Sequence, residues 1–104
     1  MKDTVKKQVD EVVAGLDSGK KAEDFAAVAQ MDPYVFIMED AGTLLVHPTL
    51  AGQDLKEKAA IIYNEVAKGT PEGAFVRYEW AGAKKCTYSR KTKSGLIVGS
   101  GFNE

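Results

Sequence analysis

The 104-residue chain contains few of the residues that carry chemistry or form cross-links. A single cysteine excludes an internal disulfide, and a single histidine gives little support for a metal site. A nucleophilic cysteine needs an activating base, and no histidine follows Cys86, so we predict a small apolar role for it. No spaced acidic pair resembles an acid–base or metal constellation. The sequence therefore predicts no enzyme and no cofactor.

Long apolar runs and an excess of charge of one sign are also missing. No stretch approaches the roughly 20 apolar residues that a membrane span needs. The first residues, Met1 to Thr4, lack the apolar run of a signal peptide. Composition leaves two alternatives: the protein is cytoplasmic, or a leader or anchor lies outside this sequence. A formal net charge of −1 provides no basic field for a nucleic-acid backbone. We expect neither a membrane span nor a nucleic-acid partner.

What the chain has is the composition of one globular domain, with 44% hydrophobic and 28% charged residues. Residues 1–31 are predicted as an N-terminal helical segment. Its first part carries an apolar stripe typical of an amphipathic helix, made of Val5, Val9, Val12, Val13 and Leu16. A second helical piece covers residues 22–30 and ends before Pro33. The valine stripe has two interpretations, packing on the domain's own sheet or pairing with a second copy, and we expect a weak homodimer.

The sequence pattern of residues 34–68 predicts a hairpin followed by a helix. Residues 34–38 form an apolar run rich in aromatic and branched side chains, which indicates a buried strand. A turn at 39–42 and a returning strand at 43–47 complete the hairpin. Asp54 and Glu57 then have the spacing of a capping box, and the helix that follows is predicted to end near Lys68.

The last third alternates between apolar and polar residues, as strands do. Strands are predicted at 74–80, 84–91 and 96–102, joined by short turns into an antiparallel meander. Gly99 and Gly101 mark bends or close backbone approaches in the last strand. The order of elements predicts an α+β domain with helices packed on one antiparallel sheet of about five strands.

Five motifs in this order resemble the single Cache family, specifically its second subtype. The first joins the apolar strand to a D-x-G turn and an H-P pair, DPYVFIM at 32–38 and DAGTLLVHP at 40–48. The others are GQDL at 52–55, GAFVRYEW at 73–80, KCTY at 85–88 and GLIVGSGF at 95–102. Thr87 stands where the family has serine, Leu96 where it has tryptophan, and Phe102 where it has tyrosine.

The resemblance implies a PAS-like sensor module at residues 32–104, located in the periplasm or otherwise outside the cytoplasmic membrane. Such domains precede chemoreceptor, histidine kinase or cyclase outputs in signal transduction and chemotaxis. They bind small organic acids such as acetate, propionate, pyruvate or lactate and perform no reaction on them. A short-chain carboxylate is therefore the expected partner of this chain.

Candidate ligand-binding residues follow from the chemistry of a carboxylate and from these motifs. A carboxylate needs a cation and hydroxyl or ring N–H donors set in apolar walls. Tyr78, Trp80, Lys85 and Tyr88 lie on adjacent predicted strands and supply such a set. Each aromatic ring has an alternative role as core. Strict alternation also puts Lys85 on the face opposite Tyr88, so the two share a pocket only if a bulge turns one of them.

Three residues of the first hairpin complete the predicted site. Phe36 and Met38 are expected to be core residues that also line the pocket. His47 ends the second strand, where its ring either contacts ligand or bonds the backbone of the turn. With no C-x-x-C-H motif, haem is not supported. The alternative to a sensor is a profilin-like interaction module, which would have a filled core, no cavity and an exposed apolar patch.

Overall fold

The computed structural model describes residues 1–104 and is built around one five-stranded antiparallel sheet with the order β2-β1-β5-β4-β3. The helices are α1 (Lys2–Asp17), α2 (Leu55–Lys58) and α3 (Ala60–Val66), with a 3₁₀ segment at Ala22–Gln30. The strands are β1 (Val35–Met38), β2 (Leu44–Val46), β3 (Ala74–Trp80), β4 (Ala83–Lys91) and β5 (Ile97–Asn103). The predicted α+β architecture, with its N-terminal helix and antiparallel sheet, is confirmed.

The hairpin and the meander form as predicted and join through the last strand. β1 pairs with β2 in an antiparallel register that a bulge shifts between Ile37 and Met38. On its other side β1 pairs with β5, where Val35 lies opposite Ser100. The hairpin therefore attaches to the end of the meander, and β1 and β5 are interior strands. This explains why the run at 35–38 is apolar on both faces.

Helix α1 packs its valine stripe on one face of this sheet. Val5, Val9, Val12 and Val13 are each at most 3% exposed and share a core cluster with Val35. Of the two interpretations of the stripe, the structure shows packing on the domain's own sheet, and the weak homodimer stays a prediction. No helix is both long enough and apolar enough to cross a membrane.

The second helical piece of the N-terminal segment is not the regular helix that its pattern predicts. Residues 22–30 form 3₁₀ turns, and Phe25 departs from helical angles at φ −107° and ψ 19°. A Cβ on Gly15 of α1 would meet the Phe25 ring, so the ring lies directly on the backbone of α1. Packing of this ring on α1, rather than helical periodicity, sets the shape of the segment.

The other face of the sheet is covered by α2 and α3, where one continuous helix was expected. Asp54 caps α2, with its carboxylate accepting a hydrogen bond from the Lys56 amide at 2.8 Å. Ala59 then breaks the helix at φ −155° and ψ 74°. The apolar stripe does not reveal this break, because Leu55 and Val66 on either side of it remain buried in one cluster. Two short helices at a bend therefore replace one long helix.

Candidate functional site

A cavity of about 420 Å³ lies between the sheet and the bent α2–α3 pair. Nine of its thirteen lining residues are hydrophobic, which is the usual character of a small-molecule site. The lining residues are Tyr34, Phe36, Leu44, His47, Thr49, Leu50, Leu55, Lys58, Ala59, Ile62, Tyr78, Trp80 and Lys85. They come from four strands, both short helices and the loop between β2 and α2, so the site depends on the complete fold.

The structure brings five of the seven predicted site residues to this cavity, namely Phe36, His47, Tyr78, Trp80 and Lys85. Met38 is fully buried in the same core cluster as Phe36 but lies away from the cavity wall. Tyr88 lies on the opposite face of the sheet, in the cluster that packs against α1. Neither Met38 nor Tyr88 is therefore placed to touch a ligand in the cavity.

The register of β3 and β4 explains why Lys85 and Tyr88 are separated. Lys85 lies opposite Tyr78 and Tyr88 lies opposite Phe75, and the pairing between the two strands is regular. Without a bulge, side chains three residues apart point to opposite faces. The Tyr88 hydroxyl instead donates to the Glu72 carbonyl at 3.1 Å. Lys85 reaches the cavity by simple alternation with Tyr78.

Lys85 is the half-buried cation of the cavity. It takes part in none of the five salt bridges of the chain. Its ammonium lies 5.9 Å from the centroid of the Tyr34 ring, a distance at which the ring face attracts a cation. An aromatic ring screens a charge without neutralising it, so this ammonium remains free to bind an anion.

His47 has a defined tautomer because its Nδ1 accepts two backbone hydrogen bonds. The amides of Thr49 and Leu50 donate to it at 3.1 Å and 3.0 Å. An imidazole nitrogen that accepts carries no proton, so the ring proton is on Nε2. Burial, and then the charge of Lys85, lower the pKa of His47 below its ordinary 6.5. The ring is thus neutral at pH 7 and presents an N–H donor.

Two tyrosines add hydroxyl groups to the wall. The Tyr78 hydroxyl shares a hydrogen bond of 3.0 Å with Thr87 Oγ1, which fixes the phenol ring. Burial raises the pKa of both Tyr34 and Tyr78, so both hydroxyls keep their protons at neutral pH. The Tyr34 ring meets the His47 ring edge-on at 5.2 Å between centroids. Tyr34 therefore connects the histidine and the lysine of the site.

The glycines of β5 allow the strand to lie close to this wall. A Cβ on Gly99 would meet the Phe36 ring, and one on Gly101 would meet Thr87 Oγ1, the partner of Tyr78. The prediction that these glycines mark close approaches is confirmed. Any larger residue at Gly99 would push the Phe36 ring toward the cavity.

The charges around the cavity all have one sign. Lys58 and Lys85 line it, and no aspartate or glutamate does. A half-buried Lys85 and an exposed Lys58, with no counter-charge in the lining, favour a bound anion. No group of three or more histidine, cysteine, aspartate or glutamate side chains comes together elsewhere, and Cys86 is buried as a free thiol. The cavity thus combines a mostly apolar wall with the cationic groups of Lys58 and Lys85.

Several residues that line the cavity were not predicted as site residues, and the sequence pattern around each of them differs. Tyr34 belongs to the apolar run at 34–38, which predicted a buried strand and gave no sign that its first ring lines a cavity. Leu55 and Ile62 belong to the apolar stripe of the predicted helix. Lys58 has no distinguishing pattern, because charged residues at 56–58 are expected on any exposed helix surface.

Comparison with solved structures finds the fold in a ligand-binding domain. The chain is similar to "The ligand binding domain of Mlp24 with asparagine", with a TM-score of 0.56 and 16% identity. The match covers 81% of this chain and 35% of that one, so the chain spans about a third of that structure's length. No protein-family model and no curated protein sequence matches the chain. The two structures share an α+β fold, whereas membership of the Cache family and of its second subtype stays a prediction.

Proposed function

We propose that the protein is an extracytoplasmic sensor domain that binds a small organic molecule, a short-chain carboxylate, in signal transduction or chemotaxis. One observation carries this proposal: an apolar cavity of about 420 Å³ is lined by two lysines and by no acidic residue. The volume lies in the range of small-molecule sites. A docking module would have a filled core at this position.

The donors near Lys85 suit a carboxylate in number and kind. The ammonium provides the charge, and the Nε2–H of His47 and the Tyr34 hydroxyl provide further hydrogen bonds. None of these three groups donates to another residue of the chain. Hydrogen bonds to an ionised group are about twice as strong as neutral ones, so a carboxylate gains more here than an uncharged ligand.

The solved structure with a similar fold is described with asparagine, which carries an ammonium as well as a carboxylate. An ammonium buried in a protein needs an acceptor, preferably a carboxylate. The cavity of this chain has no aspartate or glutamate in its lining. We infer that the ligand here has a carboxylate but no ammonium group.

The location and the output of the domain follow from the Cache resemblance. We propose a periplasmic or otherwise extracytoplasmic position, ahead of a chemoreceptor, histidine kinase or cyclase module. Ligand binding would then be reported to that module through the fold. In this proposal the chain performs no reaction on its ligand.

Thermal unfolding with added carboxylates, amines and amides tests the ligand class. At a hundredfold excess over the dissociation constant, binding stabilises by about 2.7 kcal/mol. For a domain of this size that corresponds to a rise in Tm of at least about 10 °C. We expect such a rise with short-chain carboxylates and none with amines of equal length. Stabilisation by amines alone, or by no small metabolite, would contradict the proposal.

Lys85→Met tests the anchor within the cavity. The lysine is half-buried and forms no salt bridge, so methionine keeps the packing while it removes the charge. We expect at least a roughly tenfold loss of carboxylate affinity, as for a charged hydrogen bond, with an unchanged Tm of the free protein. Lys84→Met, on the same strand but outside the cavity, is the matched control. Equal affinities in both variants would remove Lys85 from the site.

A further inference from the structure

A second lysine, Lys58, also lines the cavity, and it comes from a different part of the fold than Lys85. It is the last residue of α2, on the helical side, whereas Lys85 belongs to β4, on the sheet side. Lys58 is exposed and Lys85 is half-buried, so one cation is at the rim and the other is further inside. Neither forms a salt bridge within the chain.

A single carboxylate neutralises only one of these two charges. The cavity has no acidic residue to balance the other. Its volume of about 420 Å³ equals that of about 14 water molecules at about 30 Å³ each, so a two-carbon acid would leave most of it to solvent. A longer ligand with an anionic group at each end would fill more of the apolar space and pair with both lysines.

We propose that the ligand is a short-chain dicarboxylate, with one carboxylate at Lys85 and His47 and the other at Lys58. This inference rests on the proposed carboxylate-binding function and specifies its ligand class. The apolar side chains between the two ends, including Leu55 and Ile62, contact the methylene groups of such a molecule. The site then selects its ligand by the presence of a second charge.

Calorimetric titration with matched pairs of acids measures this selection. The probes are dicarboxylates of three to five carbons, each compared with the monocarboxylate of equal carbon number. We expect the best dicarboxylate to bind about fivefold more tightly than its monocarboxylate, as for one added ion pair at a partly exposed position. The monoamide of that dicarboxylate should bind like the monocarboxylate, because it keeps the shape and loses the second charge.

Lys58→Met locates the second charge. This variant should lose the fivefold preference and bind both acids of a pair with equal affinity. Lys56→Met is the control, since Lys56 is on the same helix, has the same charge and does not line the cavity. It should keep the full preference.

The outcomes separate this inference from the proposed function. Equal affinities for mono- and dicarboxylates in the unmodified protein, or a preference that survives Lys58→Met, overturn the dicarboxylate and leave the carboxylate site standing. If no acid of either series binds, both proposals are overturned. A preference that is lost in Lys58→Met and kept in Lys56→Met supports both.

Discussion

The two faces of the sheet are covered in different ways. On one face a continuous helix of 16 residues packs a valine stripe mainly against β4 and β5, and all four valines are almost completely buried. On the other face two helices of four and seven residues meet at a bend and leave a cavity of about 420 Å³. One sheet thus supports a closely packed core on one side and a binding site on the other.

The difference has a physical origin in the covering helices. A straight amphipathic helix with branched side chains interdigitates with a sheet, and protein interiors packed in this way have few voids. The break at Ala59 prevents α2 and α3 from following the sheet as one rod. Aromatic and cationic side chains then surround the remaining space. The α1 side also has a surface groove, but charged residues line it and Lys6 pairs with Asp10 there.

The largest expected loss of stability comes from a substitution on the closely packed α1 face. Val9→Ala removes two methyl groups from a site with 0% exposure, and we expect a loss of about 2 kcal/mol in the free energy of unfolding. Ile62→Ala, on α3 at the cavity, removes more atoms but should cost only about 1 kcal/mol, because its side chain is half-buried and borders an existing space. Urea denaturation measures both values. A larger loss for Ile62→Ala than for Val9→Ala would contradict the contrast between the faces.

A smaller expected effect concerns the cavity side, where His47 should make the free energy of unfolding depend on pH. The pKa of His47 is lowered in the folded protein, so the unfolded chain binds more protons at mildly acidic pH. The free energy of unfolding should therefore fall as the pH drops from 7 through the unfolded value of 6.5, with the loss continuing down to the folded pKa. Burial raises the pKa of Asp10, on α1, but hydrogen bonds and charge from Lys6 and Arg90 together outweigh it and keep that pKa below 3.8, so Asp10 titrates outside this window.

His47→Asn is the control for this pH dependence. The Asn side-chain oxygen can accept the amides of Thr49 and Leu50 in place of Nδ1, and it does not titrate. Urea denaturation at several pH values should show a flatter profile between pH 7 and 5 for the variant. Identical slopes in both proteins would show that another group, not His47, governs stability in this range.

Periodicity predicted most of the fold because its elements obey local rules. The hairpin has an apolar strand and a glycine turn, and β3 and β4 alternate without interruption. The same alternation placed Tyr78 and Trp80 on one face of β3, and the structure finds both at the cavity. Where a local pattern repeats in a regular element, the sequence determines which side chains share a face.

Features that depend on tertiary packing could not be predicted from the sequence. The break at Ala59 interrupts a helix whose apolar stripe continues unchanged, and the choice between sheet packing and pairing for the valine stripe depends on contacts distant along the chain. Tyr88 was grouped with Tyr78 on motif grounds, although the strand period sends it to the other face. Lys58 had no signal of its own, because a lysine on a short helix usually faces solvent.

A titration followed by amide chemical shifts tests the central claim most directly, since it reports on both faces at once. The isotopically labelled protein is titrated with butanoate and with butanedioate. We predict saturable shifts at the amides of Thr49, Leu50, Ile62 and Lys85, with none at Val9 in α1. Saturable shifts centred on α1, or no saturable shift with either acid, would contradict a carboxylate site between the sheet and the α2–α3 bend.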